Sequence, residues 1–228
     1  QLGQLNALEE LNLMDNNLEG GIPKELGKLQ ALKKLNLNGN PLRGRVQLGQ
    51  LNALEELNLV GNKLQGGIPK ELGKLQALKK LDLNGNPLRG VIPPELGRLN
   101  ALEELSLGCS TLKLLQNGQL GQLNALEELN LVDNNLKGGI PKELGKLQAL
   151  KKLNLNGNPL RGLGQRVQLG QLNALEELNL VGNKLQGGIP KELGKLQALK
   201  KLDLNANPLR DVIPPELGRL NALEELSL

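Results

Sequence analysis

Leucine recurs along the chain in short blocks in which apolar and polar residues alternate. Segments such as L-E-E-L-N-L place a polar residue between two leucines, as Asn12 lies between Leu11 and Leu13. This alternation directs the leucines to one face and the polar residue to the other, which predicts a short, half-buried β-strand. The segments begin at ten leucines spaced by 22 to 25 residues: Leu8, Leu32, Leu54, Leu78, Leu102, Leu126, Leu150, Leu175, Leu199 and Leu223.

A repeat period in this range predicts a solenoid, in which each unit forms one coil and successive coils stack. We expect about ten short parallel strands, about 4.8 Å apart, in one sheet on the concave side of an arc. The rest of each unit is rich in turn-forming residues, and its P-K-E-L-G-K-L segment is too short for a long helix. That segment predicts single turns of 3₁₀ or α-helix on the convex side, with proline at the first turn.

The first unit carries a complete repeat motif, L-x-x-L-x-L-x-x-N-x-L-x-G-x-I-P-x-x-L-G-x-L, from Leu8 to Leu29. This motif resembles the leucine-rich repeat family and, through its G-x-I-P-x-x-L-G segment, the plant-type class of that family. The resemblance covers essentially the whole chain. It implies an α/β solenoid, curved into a right-handed arc with a superhelical twist, and a concave surface that binds a protein or peptide. The Ile-Pro pairs are at Ile22-Pro23, Ile68-Pro69, Ile92-Pro93, Ile140-Pro141, Ile189-Pro190 and Ile213-Pro214.

Asparagine occupies the ninth position of eight units, counted from the first leucine of each. A buried amide without partners would cost about 1 to 3 kcal/mol, so its recurrence indicates satisfied hydrogen bonds. We predict an internal ladder in which each side chain bonds backbone groups of its own and adjacent coils, a structural role. The ladder residues are Asn16, Asn40, Asn62, Asn86, Asn134, Asn158, Asn183 and Asn207.

The stretch GCSTLKLLQNG, residues 108–118, departs from the motif between two nearly identical halves. Its ninth position holds Ser110 instead of asparagine. Leu112, Leu120 and Leu123 still fall where core leucines are needed. The fifth coil is therefore expected to close, with a weaker turn.

Residues 1–107 match residues 119–228 apart from four substitutions and an insertion at 163–165. We interpret the chain as one solenoid over residues 1–228, built from duplicated blocks 1–118 and 119–228, without caps. Single nucleotide changes explain all four substitutions, which favours natural duplication. The uniform units and the missing aromatic residues favour engineering, so both origins stay open. The substituted pairs are Met14 and Val132, Glu19 and Lys137, Gly85 and Ala206, and Gly90 and Asp211.

Composition narrows the possible functions. There are 28 lysines and arginines against 24 acidic residues, a net charge of +4, and the two signs are interleaved, which is weak evidence for nucleic acid. No apolar run reaches membrane-spanning length, and the first residues, QLGQLNALEE, lack a signal-peptide pattern. Together with the absence of N-x-S/T sequons, this favours an intracellular location. A receptor ectodomain is the alternative that the resemblance implies.

No motif for catalysis or cofactor binding emerges. The chain has no histidine and a single cysteine, Cys109, so it cannot assemble Ser-His or Cys-His nucleophile systems or ordinary zinc sites. The Glu-Glu pairs recur with the repeat and mostly face Lys-Lys pairs of the next unit, which predicts solvated ion pairs instead of a glycosidase dyad. The segment from Gly21 to Gly27 has the wrong spacing for a phosphate-binding loop. We predict a protein that is not an enzyme and binds no metal or cofactor.

The exposed positions of the predicted strands form columns across the units. The third position alternates between glutamate and lysine except at the joint, where Glu104 meets Glu128. The fifth position is mostly asparagine, and the seventh alternates between apolar residues and asparagine. The predicted binding face consists of Glu10, Asn12, Met14, Lys34, Asn36, Asn38, Glu56, Asn58, Val60, Lys80, Asp82, Asn84, Glu128, Asn130, Val132, Lys152, Asn154 and Asn156.

Two functional hypotheses follow for this face. In the first, it is a scaffold surface that binds a protein or peptide. In the second, the chain is a synthetic or purely structural array without a native ligand, in which the charge columns hold the sheet in register. The face lacks Trp, Tyr and Arg, the usual anchors of tight interfaces. Because the first and last units carry no polar cap, end-to-end association between copies is also expected.

Overall fold

The computed structural model describes residues 2–113, 119–162 and 169–228. The strands of these residues are short and recur with the repeat. In chain order they are β1 (Glu10–Asn12), β2 (Lys34–Asn36), β3 (Arg43–Gly44), β4 (Glu56–Asn58), β5 (Lys63–Leu64), β6 (Lys80–Asp82), β7 (Arg89–Val91), β8 (Glu104–Ser106), β9 (Thr111–Lys113), β10 (Glu128–Asn130), β11 (Gly138–Gly139), β12 (Lys152–Asn154), β13 (Leu160–Gly162), β14 (Glu177–Asn179), β15 (Lys201–Asp203) and β16 (Glu225–Ser227).

One parallel sheet of ten strands runs the length of the molecule, in the order β1-β2-β4-β6-β8-β10-β12-β14-β15-β16. Successive strands pair in register, so Leu11 lies opposite Leu35 and Asn12 lies opposite Asn36. Each unit of the repeat contributes one strand. The predicted fold class, an α/β solenoid curved into an arc with its strands on the concave face, is confirmed.

Short 3₁₀ helices return the chain along the convex side. A proline at the start of most of them precedes the first turn, as where the Leu26 N–H donates to the Pro23 carbonyl at 3.1 Å. The longest of these helices has five residues, so no helix in the described part could cross a bilayer. The helices are η1 (Leu2–Gln4), η2 (Lys24–Lys28), η3 (Lys70–Lys74), η4 (Pro94–Arg98), η5 (Gln119–Gln122), η6 (Lys142–Lys146), η7 (Leu169–Gln171), η8 (Lys191–Lys195) and η9 (Pro215–Arg219).

A second set of strands forms the lateral edge of the solenoid, between the concave sheet and the convex helices. It consists of three two-stranded parallel ladders, β3-β5, β7-β9 and β11-β13. Isolated bridges continue it where the ladders stop, as between Gly20 and Leu42. Arg43, Arg89 and Arg161 lie on this edge.

The core is one layer of leucines between the sheet and the convex turns. Leucines such as Leu57 and Leu81 are at most 2% exposed, and the layer continues from coil to coil without a break. At the ends it opens, since Leu5 and Leu226 are 48% and 46% exposed.

The predicted asparagine ladder is confirmed in the interior coils. The Asn62 amide donates to the carbonyls of Leu37 in the preceding coil and Leu59 in its own coil, both at 2.9 Å. Its side-chain oxygen accepts the Leu42 N–H at 3.2 Å. Asn16 differs, since its exposed amide donates to the Leu13 and Met14 carbonyls of its own coil.

The fifth coil keeps the repeat over its described residues, whereas the weaker turn predicted for it includes residues 114–118, which lie outside them. Leu112 and Leu123 are fully buried, and Leu120 packs against the core while partly exposed. Ser110 fills the ladder position and donates to the Asn86 carbonyl at 2.8 Å. The insertion at residues 163–165 lies outside the described residues.

Candidate functional site

The concave face gathers the predicted site residues onto one surface. Those of the third and fifth positions lie at the ends of the main-sheet strands, and those of the seventh position lie just beyond. The intervening leucines point into the core, as shown by Leu35, which is 1% exposed, whereas all eighteen predicted residues are exposed or half-buried. The structure therefore brings the whole predicted set together along the sheet.

The lysines of this face lie between glutamates of neighbouring strands. At the second position, Lys33 contacts Glu9 at 2.8 Å, and the Lys79 ammonium lies 2.7 Å from Glu55. The hydrogen bond from Lys79, with its positive charge, lowers the pKa of the Glu55 carboxyl. The hydrogen bond from Glu9 and its negative charge raise the pKa of Lys33. Most glutamates of the Glu-Glu pairs thus form the exposed ion pairs that the sequence predicts.

A depression of about 200 Å³ marks the first three coils of this face. Lys34 lies in it between two carboxylates, 3.2 Å from Glu56 and 3.8 Å from Glu10. The other polar residues that line it are three asparagines of the fifth position, Asn12, Asn36 and Asn58. Six of the predicted residues therefore surround one hollow.

The fifth-position side chains have a structural role that the sequence analysis did not predict. Their oxygens accept the backbone N–H two residues later, as where Asn36 accepts from Asn38 at 3.1 Å. This bond fixes the side-chain oxygen at the end of the strand and leaves the amide N–H₂ on the surface. The Asp82 carboxyl likewise accepts the Asn84 N–H at 3.0 Å. Burial raises the pKa of this carboxyl.

The middle of the concave face is acidic. Strands β8 and β10 pair Glu104 directly with Glu128, the like-charge contact predicted at the joint. Lys80 compensates Glu104 at 2.7 Å and Lys152 compensates Glu128 at 2.8 Å. Among the described residues Glu103 makes no ion pair. Over all units the second and third positions hold twelve glutamates and eight lysines, so the face carries a negative excess.

The face extends further than the predicted set. Strands β8, β14, β15 and β16 continue the same sheet and present the same columns, through residues such as Glu104, Glu177 and Lys201. The signal for these residues was present in the sequence, since their units keep the repeat. The candidate face thus spans all ten coils.

Nothing in the described residues forms a metal site, since no group of three or more His, Cys, Asp or Glu side chains could hold an ion. Cys109 is exposed and adopts a positive φ of 53°. It lies in the turn that follows β8, where the neighbouring units have Gly85 and Asp133. The predicted lack of catalytic and cofactor chemistry stays a prediction.

Comparison with known families and sequences gives one clear match. Residues 41–166, more than half of the chain, match the model of a leucine-rich repeat region. The single-repeat model, Leucine Rich Repeat, matches residues 7–29, 174–196 and 198–220. No curated protein sequence matches the chain.

Solved structures of plant proteins have a fold similar to that of this chain. The ectodomain of the Arabidopsis thaliana receptor kinase GASSHO1/SCHENGEN3, in complex with CASPARIAN STRIP INTEGRITY FACTOR 2, is 37% identical with a TM-score of 0.93 over 99% of this chain. The plant peptide hormone receptor RGFR1, in complex with RGF2, is 28% identical with a TM-score of 0.79 over the full chain. A plant ice-binding protein is 28% identical with a TM-score of 0.78 over 98% of the chain. The chain spans 27% and 40% of the two receptor chains and 74% of the ice-binding protein.

Proposed function

Since the chain belongs to the leucine-rich repeat family, in its plant-type class, we propose that it is an interaction scaffold that binds a peptide or an extended protein segment on its concave face. The proposal assigns no catalytic step to the chain. It rests chiefly on one observation, the unbroken ten-stranded sheet that presents polar columns to solvent along its whole length.

The geometry suits an extended partner that crosses the strands. A curved sheet exposes a long surface without a deep cavity, so a partner that follows the arc contacts many coils at once. The depression around Lys34 gives such a partner one place to insert a side chain. Elsewhere the amide groups of the fifth position, for example those of Asn130 and Asn154, offer donors at regular intervals.

The charge of the face indicates the chemistry of the partner. The four extra glutamates favour a peptide with lysine or arginine side chains, and the acidic strands β8 and β10 are where a cation would gain most. The face has no aromatic residue and its exposed ion pairs are screened by salt. We therefore expect moderate affinity, set by many weak contacts instead of a few anchors.

The receptor structures support the proposal by analogy. The two similar ectodomains are described in complex with CASPARIAN STRIP INTEGRITY FACTOR 2 and with RGF2. This chain aligns with less than half of either receptor, so the identity of its own partner does not follow from theirs.

The proposal is tested by selecting peptides from a random display library against the chain. Selected peptides are then measured against a variant in which Lys34, Lys80, Lys152 and Lys201 are changed to Glu. A matched control changes Lys24, Lys70, Lys142 and Lys191, the exposed lysines at the start of four convex helices, to Glu. Both variants change the net charge equally, and thermal unfolding of each checks that the fold persists.

We expect the concave variant to change the affinity of the selected peptides at least about ten-fold and the convex variant to leave it nearly unchanged. Equal effects of the two variants would show that only net charge matters. Failure to select any binder would favour a structural array without a native ligand.

Ice binding is a second candidate, favoured by the regular column at the fifth position. Eight of the ten strands carry Asn or Asp there, one per strand, on one parallel sheet. The plant ice-binding protein with a similar fold supports this candidate by analogy. The test is to grow ice in the presence of the chain, with albumin as control. Crystals with the same shape and size distribution in both would eliminate this candidate.

A further inference from the structure

The convex side of the solenoid carries a depression of about 940 Å³ that the concave-face proposal does not use. It lies between the helices η2 and η3, which belong to the first and third coils. The coil between them has the shortest unit of the chain, 22 residues from Leu32 to Leu54. The depression is therefore a place where the convex surface departs from the regular repeat.

The short unit explains the depression. In the first coil, the buried Ile22 and Leu26 are four residues apart, with Pro23 and the start of η2 between them. In the second coil, the equivalent buried residues, Val46 and Leu48, are only two residues apart. The chain described there forms no helix between β3 and β4, so it crosses the convex side by a shorter path. The two missing residues leave the space between η2 and η3 open.

Four cations and one carboxylate line the depression. They are Lys24 and Lys28 of η2, Arg45 of the second coil, and Glu71 and Lys74 of η3. All five residues are exposed, and the ion pairs of the described residues join only lysines and glutamates of the concave side. Four positive charges against one negative charge give the lining a net charge of +3, which no ion pair within the described residues neutralises.

The cations form two pairs. Lys28 and Lys74 occupy equivalent positions of the first and third coils, and Gln50 holds that position in the coil between them. Two strand spacings therefore separate the backbones of this pair, at least about 10 Å on the outer side of an arc. Lys24 begins η2 and Arg45 directly follows β3, so the second pair lies nearer the lateral edge.

The distance between the two pairs sets the length of a ligand that reaches both. Lys24 and Lys28 are four residues apart on a 3₁₀ helix, which advances about 2.0 Å per residue. Their backbones are therefore about 8 Å apart along the helix. Anionic groups held by both pairs would lie at opposite ends of a small molecule.

We propose that this depression binds a sugar or polyol that carries a phosphate group at each end. One phosphate lies between Lys24 and Arg45, and the other lies between Lys28 and Lys74. Two phosphate monoesters carry a charge of about −3 to −4 at pH 7, which balances the net charge of the lining. Lysine and arginine donate strong, charge-assisted hydrogen bonds to phosphate oxygens.

The other polar residues of the lining favour hydroxyl groups between the two phosphates. The ionised Glu71 carboxylate only accepts hydrogen bonds, so it needs a donor on the ligand, and a hydroxyl group supplies one. The side chains of Gln47 and Gln50 both donate and accept. A ligand made of phosphate alone would offer Glu71 no donor and would be repelled by its charge.

Other anions fit the depression less well. A carboxylate carries one charge, so a dicarboxylate or a short acidic peptide brings fewer charges into the same space than a bisphosphate. A nucleotide base would find no aromatic side chain to stack on, because the chain has none. Pyrophosphate holds its two phosphates too close together to reach both pairs of cations.

The test is calorimetric titration with fructose 1,6-bisphosphate at low salt. The depression variant changes Lys28 and Lys74 to Gln. The matched control changes Lys146 and Lys195 to Gln, because these are the equivalent lysines of the second half, where the insertion at 163–165 lengthens the coil between them. The two variants have the same net charge, and thermal unfolding verifies the fold of each.

We expect one bisphosphate to bind per wild-type chain. The depression variant should raise its dissociation constant about ten-fold, because two exposed charge contacts are lost, and the control should bind like the wild type. Fructose 6-phosphate, with a single phosphate, should bind the wild type about ten-fold more weakly. Inserting Leu-Gly-Gln between Gly44 and Arg45, as in the second half, should fill the depression and abolish binding.

Equal losses in the depression variant and the matched control would overturn the proposal, because they would show a response to net charge alone. It would also be overturned if citrate or hexaglutamate bound the wild type as tightly as the bisphosphate, or if the bisphosphate did not bind at millimolar concentration. The depression lies away from the concave face, so none of these results bears on peptide binding there.

Discussion

From Asn40 onward, each asparagine of the internal ladder links its own coil to the one before it. Its amide bonds a carbonyl in both coils, and its oxygen accepts the backbone N–H of the preceding turn, as Asn86 accepts from Leu64 at 3.1 Å. At the joint the shorter Ser110 cannot make this bond. The Leu88 N–H there donates instead to the Asn86 carbonyl at 2.7 Å, which also accepts from Ser110.

Restoring the ladder at the joint should stabilise the chain. We expect Ser110→Asn to raise the free energy of unfolding by about 1 kcal/mol, because it supplies an acceptor for the Leu88 N–H and a donor for the preceding coil. Urea unfolding measures the change. Asn62→Ser serves as the reverse control and should cost about 1 to 3 kcal/mol. A destabilising effect of Ser110→Asn would contradict the role assigned to the ladder.

The eighth position of each described coil from the first to the ninth has a positive φ. Glycine fills it in five of these coils, whereas Ala206 adopts a φ of 55° in place of its first-half counterpart Gly85, at 67°. A side chain in this region costs about 1 to 2 kcal/mol. The substitution that separates the halves at this position therefore strains the second half.

The two halves provide a matched pair of variants at this position. We predict that Ala206→Gly raises the free energy of unfolding by about 1 kcal/mol and that Gly85→Ala lowers it by a similar amount. Thermal unfolding of both variants beside the wild type is the measurement. Changes of the same sign in the two would rule out backbone strain as the cause.

At the residue scale, the sequence predicted the ladder because asparagine recurs at the ninth position of eight units and a buried amide needs hydrogen-bond partners. It did not predict the turn-closing bonds of the fifth position, since an exposed asparagine looks the same whether or not its oxygen is bound. It also did not reveal the strain at Ala206, because an alanine in a loop indicates no particular φ.

Among the elements, the concave sheet carries the ion pairs that make stability depend on pH. Hydrogen bonds from Lys79 and Lys200 lower the pKa values of Glu55 and Glu176 in the fold. A carboxyl with a lowered folded pKa stabilises the fold above its unfolded pKa, and this contribution is lost as the pH falls through the folded value. Partner lysines such as Lys79 have raised pKa values, so their contribution is lost as the pH rises through those values.

We therefore predict that stability declines below about pH 4.5 and again above about pH 10.5, the ordinary values for these groups. Asp82 acts in the opposite direction, since burial raises its pKa and its protonation in acid relieves that cost. Chemical unfolding across the pH range measures the profile. The double variant Glu55→Gln and Glu176→Gln should flatten the acid decline, and an unchanged decline would show that these pairs do not carry it.

The sequence predicted the main strands and convex turns well, because the alternation of leucines and the position of proline determine them. The lateral ladders were not predicted. Strands such as β3, with only Arg43 and Gly44, are too short to leave a periodic pattern. They form because stacking brings equivalent turns of adjacent coils within hydrogen-bonding distance.

At the scale of the whole molecule, stacking separates charges that are interleaved in the sequence. The second and third positions on the concave side collect twelve glutamates and eight lysines, whereas the lateral edge carries exposed cations such as Arg43, Lys63 and Arg89. The net charge of +4 does not reveal that these two surfaces differ in charge. The order of charges along the sequence therefore does not give the charge of a surface, because each position of the repeat lies on its own face.

The binding role of the concave face can be tested most directly by lysine footprinting. The chain is acetylated with and without a saturating peptide selected from the library, and modification is quantified at each lysine by mass spectrometry. The proposal predicts protection at concave lysines such as Lys34, Lys80 and Lys152, with unchanged reactivity at the convex Lys24, Lys70 and Lys142. Protection of the convex set, with the concave lysines as reactive as before, would contradict it.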